Sequence, residues 1–184
     1  KTNIAKLFTL NADGSGSLIE DSRATADDFE IVSRGQDDMA TLLYSSGTTG
    51  VPKGIMLTHN NLLENAQSLV EYWGFTDEDV LFHALPIFHV HGLFVALGCV
   101  FLSGASMRWA SGFDASQAIE HLPQCTVMMG VPTYYTRLLA SEAFTDTVTS
   151  NMRLFISGSA PLLEETFFHF EQRTGHRILE RYGM

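Results

Sequence analysis

The chain has 184 residues, 45% of them hydrophobic, and a net charge of −10 from 11 basic and 21 acidic side chains. That size and apolar share allow a real core, in one domain or part of a larger one. The acidic balance argues against nucleic acid or an anionic membrane as main partner, so an anionic ligand must be held by local donors.

"KLFTL" (6–10) predicts a strand and "NADGSGS" (11–17) a tight turn. The polar stretch 20–38 predicts a short helix with loops. "ATLLYSS" (40–46) reads as a buried strand entering a glycine-rich loop, and "GIMLTH" (54–59) as a second strand. Thr58 or Asn60 can cap the helix that follows. In it Leu62, Ala66, Leu69, Val70 and Trp73 recur at helical spacing, and Gly74 supplies the stop.

"DVLFHAL" (79–85) is a strand that Pro86 ends. "GLFVALGCVFLSG" (92–104) is apolar all round, which predicts a core helix, and it is too short to span a bilayer. "ASMRWA" (105–110) is a strand, and Asp114 with Gln117 resembles a capping box for "ASQAIEHL". "CTVMMG" (125–130) is a strand, after which Pro132 opens the helix "PTYYTRLLA". "MRLFISG" (152–158) and "HRILERYG" (176–183) are strands around a helix with an apolar face of Leu163, Phe167 and Phe170, which Gly175 ends.

Strands alternate with helices, so the fold class is α/β, layered, with a largely parallel sheet flanked by helices. Ligands in such sheets sit at the carboxyl ends of strands. Cys99 and Cys125 lack CxxC spacing and read as buried thiols in a reducing compartment. There is no N-x-S/T sequon and no signal peptide at Lys1, so a soluble protein is expected. Both ends lie mid-pattern, which predicts a piece of a longer chain.

"YSSGTTGVPKG" (44–54) carries the chemistry. It lacks the Walker spacing, since Gly54 stands where Ser or Thr should follow the lysine. The physics is nevertheless that of a phosphate loop. Glycines turn N–H groups toward an anion, four hydroxyls add donors, and Lys53 supplies a point charge.

The string closely resembles the phosphate-binding signature of adenylate-forming enzymes: acyl-CoA synthetases, luciferases and peptide-synthetase adenylation domains. The resemblance continues in order through "HALPIFHVHGL", "GVPTYYTRLL", "SGSAPL" and "ERYGM", and is strongest to malonyl-CoA synthetases. It implies that residues 1–184 are part of an N-terminal adenylation domain whose C-terminal domain lies outside this sequence. Its parts would be a phosphate loop (44–54), an acyl and CoA-pocket segment (83–93), a pocket helix (131–140), an adenine loop (157–162) and the start of an AMP loop (180–184).

The resemblance also implies ATP, Mg²⁺ and CoA as reaction partners. Ser45, Ser46, Gly47, Thr48, Thr49, Gly50 and Lys53 would hold the phosphates, with Thr48 and Lys53 catalytic and Thr48 near the metal. Gly158, Ser159, Ala160, Tyr182, Gly183 and Met184 would hold the nucleotide, Tyr182 stacking on the base. His89, Val90, His91, Arg137, Ser159 and Met184 would line the acid pocket. Ser159 also stands where a helix cap belongs.

Arg137 carries the substrate argument. A cation beside an acyl pocket needs a partner, and a second carboxylate on a dicarboxylic acid, malonate or methylmalonate, would supply one. Periodicity alone would instead turn Arg137 to solvent, leaving a ligase for a monocarboxylic acid. For the isolated chain a non-catalytic nucleotide-binding piece is the further alternative. A metal site from His83, His89 and His91 has no carboxylate or Cys at ligand spacing, and His83 reads equally as a core histidine bonded to backbone carbonyls. Arg153, Arg173, Arg177 and Arg181 read as solvated or helix-end charges, and Trp73 and Trp109 as packing. The expected location is the cytoplasm, or the mitochondrial matrix in a eukaryote.

Overall fold

The computed structural model describes residues 6–11, 13–25, 28–45 and 50–183. It falls into two compact units, Lys1–Gly35 and Gln36–Met184. In the first, helix α1 (Ser17–Ser22) follows a turn closed by the Gly14 N–H on the Asn11 carbonyl. The strand expected over 6–10 does not form. Its backbone is tied to the helix start instead: the Thr9 N–H donates to Ser17 Oγ at 3.0 Å and the Ser17 N–H to Thr9 Oγ1 at 3.1 Å.

The second unit opens with an antiparallel hairpin, β1 (Met39–Tyr44) and β2 (Gly54–Thr58). β1 is a strand, as expected, but not a buried one. A two-stranded ribbon leaves alternate side chains, Leu42 and Tyr44 among them, exposed. Helix α2 (His59–Trp73) starts on a full capping box. Thr58 Oγ1 accepts from the Asn61 N–H at 3.1 Å, and Asn61 Oδ1 accepts from the Thr58 N–H at 3.0 Å. Gly74 ends the helix with φ 61°, a left-handed conformation that costs glycine little.

Five strands then make a parallel sheet: β3 (Val80–His83), β4 (Ser106–Trp109), β5 (Val127–Gly130), β6 (Leu154–Gly158) and β7 (Ile178–Arg181). Their order is β4–β3–β5–β6–β7. The linking helices are α3 (Leu97–Ser103), α4 (Ala115–His121), α5 (Pro132–Leu139) and α6 (Glu164–Thr174). Alternation along the strands serves both faces. Leu81, Val127, Met129 and Ile156 pack with Trp73 of α2 and Cys99 and Val100 of α3. Phe82, Met128 and Phe155 pack with Ala118 of α4, Tyr135 and Leu138 of α5 and Phe170 of α6. A sheet covered on both sides needs such continuous apolar strands.

Two details differ from expectation. The segment predicted as a core helix begins as a π-helical turn, His91–Ala96, before α3. There Gly92, lacking a Cβ, lies against the Pro86 carbonyl, where any side chain would overlap it. Nor is the segment buried all round, since Phe101 is 72% exposed. At α4, Asp114 caps as predicted, its Oδ1 accepting from the Gln117 N–H at 2.9 Å.

Arg153 is exposed, as a solvated charge would be, but its guanidinium is engaged. Its Nε donates to Asp79 Oδ1 at 2.7 Å, and its Nη atoms reach the Trp73 and Gly74 carbonyls at 2.9 and 3.0 Å. Asp79 is buried and also accepts from Thr126 Oγ1 at 2.7 Å and the Thr76 N–H at 2.9 Å. Burial pushes the Asp79 carboxyl up, but the bonds from Arg153, Thr126 and Thr76 outweigh it and hold the pKa below its ordinary value. This cluster ties the end of α2 to the beginnings of β3, β5 and β6, at the end of the sheet away from the loops described next. Among the described residues, no helix is long and apolar enough to cross a membrane.

Candidate functional site

The chain leaves β3 to lay down β4 on one side, then returns to build β5, β6 and β7 on the other. The carboxyl ends of β3 and β5 therefore flank a topological switch point, where open α/β sheets form their binding crevice. Two adjoining recesses occupy it. One, of about 400 Å³, is walled by Ala84–Phe88, Trp109–Phe113, Tyr134 and Arg137. The other, of about 190 Å³, holds His89, His91, Gly92, Val131 and Ser159, and shares Leu85, Pro86, Phe88 and Tyr134 with the first.

Arg137 and the His91–Ser159 pair thus border the two connected recesses, although the structure shows no bond between them. Arg137 is exposed to solvent, as periodicity suggests, yet its guanidinium is engaged. Nη1 donates to the Phe113 carbonyl at 3.2 Å, and Cζ lies 5.0 Å from the Phe113 ring centroid.

His91 is 1% exposed, its Nδ1 3.1 Å from Ser159 Oγ, and its N–H donates to His89 Nδ1 at 3.2 Å. Burial pushes its pKa down to about 4, with Arg181, His89 and His83 adding to the effect, so the ring is neutral near pH 7. Gly158 leaves the ring room: a Cβ there would stand 3.1 Å from His91 Cε1, a tight contact. Ser159 takes φ 67°, a left-handed conformation that non-glycine residues seldom adopt. It is not a helix cap, since α6 starts at Glu164 with Leu163 in the cap position. Val90 does not line the smaller recess.

His83 is equally buried, edge-on to Trp109 with centroids 4.7 Å apart. Backbone carbonyls do not satisfy it, because both ring nitrogens lack a hydrogen-bond partner among the described residues. Burial brings its pKa down to about 4. Among those residues no three His, Cys, Asp or Glu side chains form a metal-holding group.

A third cleft, of about 210 Å³, lies beyond the carboxyl ends of β6 and β7. Ser159, Ala160, Pro161, Glu180, Arg181, Tyr182 and Gly183 line it, with Tyr182 85% exposed. Glu180 Oε1 accepts from the Leu162 N–H at 3.1 Å and so braces one wall against the other. Arg181 is half-buried rather than solvated, and burial lowers its pKa.

The glycine-rich loop joins β1 to β2. Ser45 and Lys53 close its neck: the Ser45 N–H donates to the Lys53 carbonyl at 3.0 Å, and the Lys53 N–H to Ser45 Oγ at 3.1 Å. Gly50 takes φ 126°. Ser46, Gly47, Thr48, Thr49 and Met184 lie outside the described residues.

Sequence reading missed the aromatic wall of the larger recess. Tyr134 was findable, since it precedes Arg137 by one helical turn. Phe113 and Trp109 gave no local signal, because the strand order alone brings them beside β3.

The chain belongs to the AMP-binding enzyme family, whose model matches residues 5–184. A malonate–CoA ligase of Arabidopsis thaliana is 37% identical over 182 residues, covering 86% of this chain and 29% of the relative. Apo MatB from Rhodopseudomonas palustris superimposes with a TM-score of 0.93 at 50% identity, over 98% of this chain and 36% of that one. The ATP-bound form of MatB gives 0.91 at 51% identity, over 96% and 35%. A malonyl-CoA ligase with methylmalonyl-CoA and AMP bound gives 0.75 at 37% identity, over 82% and 34%. The chain therefore spans about a third of the length of the proteins it resembles.

Proposed function

We propose that this chain is part of the N-terminal domain of an ATP-dependent acid–thiol ligase that turns malonate or methylmalonate into its CoA thioester. The observation that carries this reading is Arg137, a cation held on the wall of an otherwise mostly apolar recess at the switch point. One carboxylate oxygen of the acid attacks the α-phosphorus of ATP, expelling pyrophosphate and leaving an acyl-adenylate. The sulfur of CoA then attacks the acyl carbon, and AMP departs with the bonding pair.

The chain's own groups position and neutralise. Ser45, Ser46, Gly47, Thr48, Thr49, Gly50 and Lys53 embrace the phosphates. Gly158, Ser159, Ala160, Tyr182, Gly183 and Met184 hold the nucleoside, the exposed Tyr182 ring offering a stacking face. Arg137 takes the distal carboxylate, and Ser159 and His91 border the acid, with His89 at the mouth. Mg²⁺ would neutralise phosphate charge beside Thr48.

A ligase for a monocarboxylic acid is the second reading, favoured by the apolar walls Leu85, Pro86, Ile87 and Phe88. ATP–pyrophosphate exchange by the full-length ligase separates the two. Malonate and methylmalonate should drive exchange at least tenfold better than acetate in kcat/KM. The two diacids differ by one methyl, worth roughly 1–3 kcal/mol. Equal exchange with acetate would sink the dicarboxylate assignment. The 184-residue chain alone should make no thioester. The full protein belongs in the cytoplasm or, as the mitochondrial relatives suggest, the matrix.

A further inference from the structure

We infer that Phe113 is a positioning residue for Arg137 and, through it, a determinant of selection for a doubly charged acid. This rests on the reading of Arg137 as the anchor of the distal carboxylate.

An arginine on an exposed helix face ordinarily samples many rotamers, and ordering it on binding costs affinity. Arg137 is already placed. The Phe113 carbonyl accepts from its Nη1 at 3.2 Å, and the Phe113 ring lies 5.0 Å from its Cζ. The same ring stacks on Tyr134, one turn earlier on α5, with centroids 4.0 Å apart and planes 7° from parallel. Tyr134 is anchored in turn, its hydroxyl donating to the Ala84 carbonyl at 3.2 Å at the end of β3.

Phe113 itself has little freedom. Asp114 follows at once as the cap of α4, Ala110 bonds to the His83 carbonyl at 2.9 Å, and the ring packs on the core. The β4–α4 loop is therefore braced at both ends, and Phe113 engages two residues of α5 at once. One guanidinium N–H is spent on the Phe113 carbonyl. The remaining donors suffice for a bidentate grip on a carboxylate.

Phe113→Leu keeps an apolar side chain and the carbonyl but removes the ring. In the full-length ligase it should raise KM for malonate roughly fivefold or more, the scale of a lost cation–π contact, with kcat within about twofold. KM for acetate should rise far less than that for malonate, by less than about twofold, because acetate has no distal carboxylate for Arg137 to hold. Phe113→Tyr, which retains the ring, should restore the malonate value. Phe113→Met takes the place of leucine if that variant does not fold.

Equal shifts for malonate and acetate, or a tyrosine variant as impaired as the leucine one, would make Phe113 a packing residue and overturn the inference. Arg137→Ala, run in parallel, separates the two levels. If that variant keeps the malonate preference, the dicarboxylate reading falls and this inference falls with it. If it loses the preference while Phe113→Leu behaves as wild type, only the role of Phe113 is refuted.

Discussion

Arg153→Ala is expected to lower the unfolding free energy by about 2–3 kcal/mol, between the cost of breaking an exposed ion pair and that of stranding one member of a buried pair. The cost comes chiefly from Asp79, whose side chain is 4% exposed while that of Arg153 is 38% exposed. Without the guanidinium, the carboxylate keeps only Thr126 Oγ1 and the Thr76 N–H, and the Trp73 and Gly74 carbonyls lose their donors. Lysine should recover only part of the loss, because one ammonium cannot reach two carboxylate oxygens and two carbonyls in a fixed fork. Urea unfolding followed by circular dichroism measures both variants. A loss below about 1 kcal/mol, the scale of a surface pair, would show that the cluster does not hold the strand ends together.

A second large effect lies in the acid limb of stability. His83 and His91 have folded pKa values near 4 against 6.5 for an exposed histidine. A base with a depressed folded pKa binds its proton more readily when unfolded, so stability falls as pH drops from 6.5 toward 4. The loss is about 2 kcal/mol for each residue at pH 5. Asp79 acts in a different window: its contribution is present above 3.8 and is lost only as pH falls through its lower folded value. His83→Leu should therefore remove about half of the decline between pH 7 and pH 5. At pH 7 it should be neutral or stabilising, because it deletes two buried nitrogens that have no partners among the described residues. Urea midpoints at pH 7.5, 6 and 5 test this. An unchanged slope in the variant would mean that His83 is protonated or solvated in the native state.

How much of this was legible in the sequence depended on whether the cause was local. Helices with a cap and a glycine stop, such as α2 between Thr58 and Gly74, could be read from the string. So could the parallel sheet, from strands alternating with helices. The exposure of β1 could not, because an apolar strand looks the same in a ribbon as in a covered sheet. Nor could the π turn at His91–Ala96, where Gly92 lies against the Pro86 carbonyl. The hold of Arg153 on Asp79 was missed because the two are distant in sequence and meet only through the order of the strands. The site divides in the same way. Arg137, His91 and Ser159 stood out as residue types within motifs, whereas the ring of Phe113 that steadies Arg137 comes from another connection.

The most direct test of the dicarboxylate assignment is the malonate-to-acetate ratio of kcat/KM in ATP–pyrophosphate exchange, for the full-length protein and its Arg137→Ala variant. The ratio is expected to collapse by at least tenfold in the variant, about 1.4 kcal/mol of lost discrimination, with exchange on acetate little changed. A ratio that survives the substitution would return Arg137 to the solvent-exposed face of α5 and contradict the assignment.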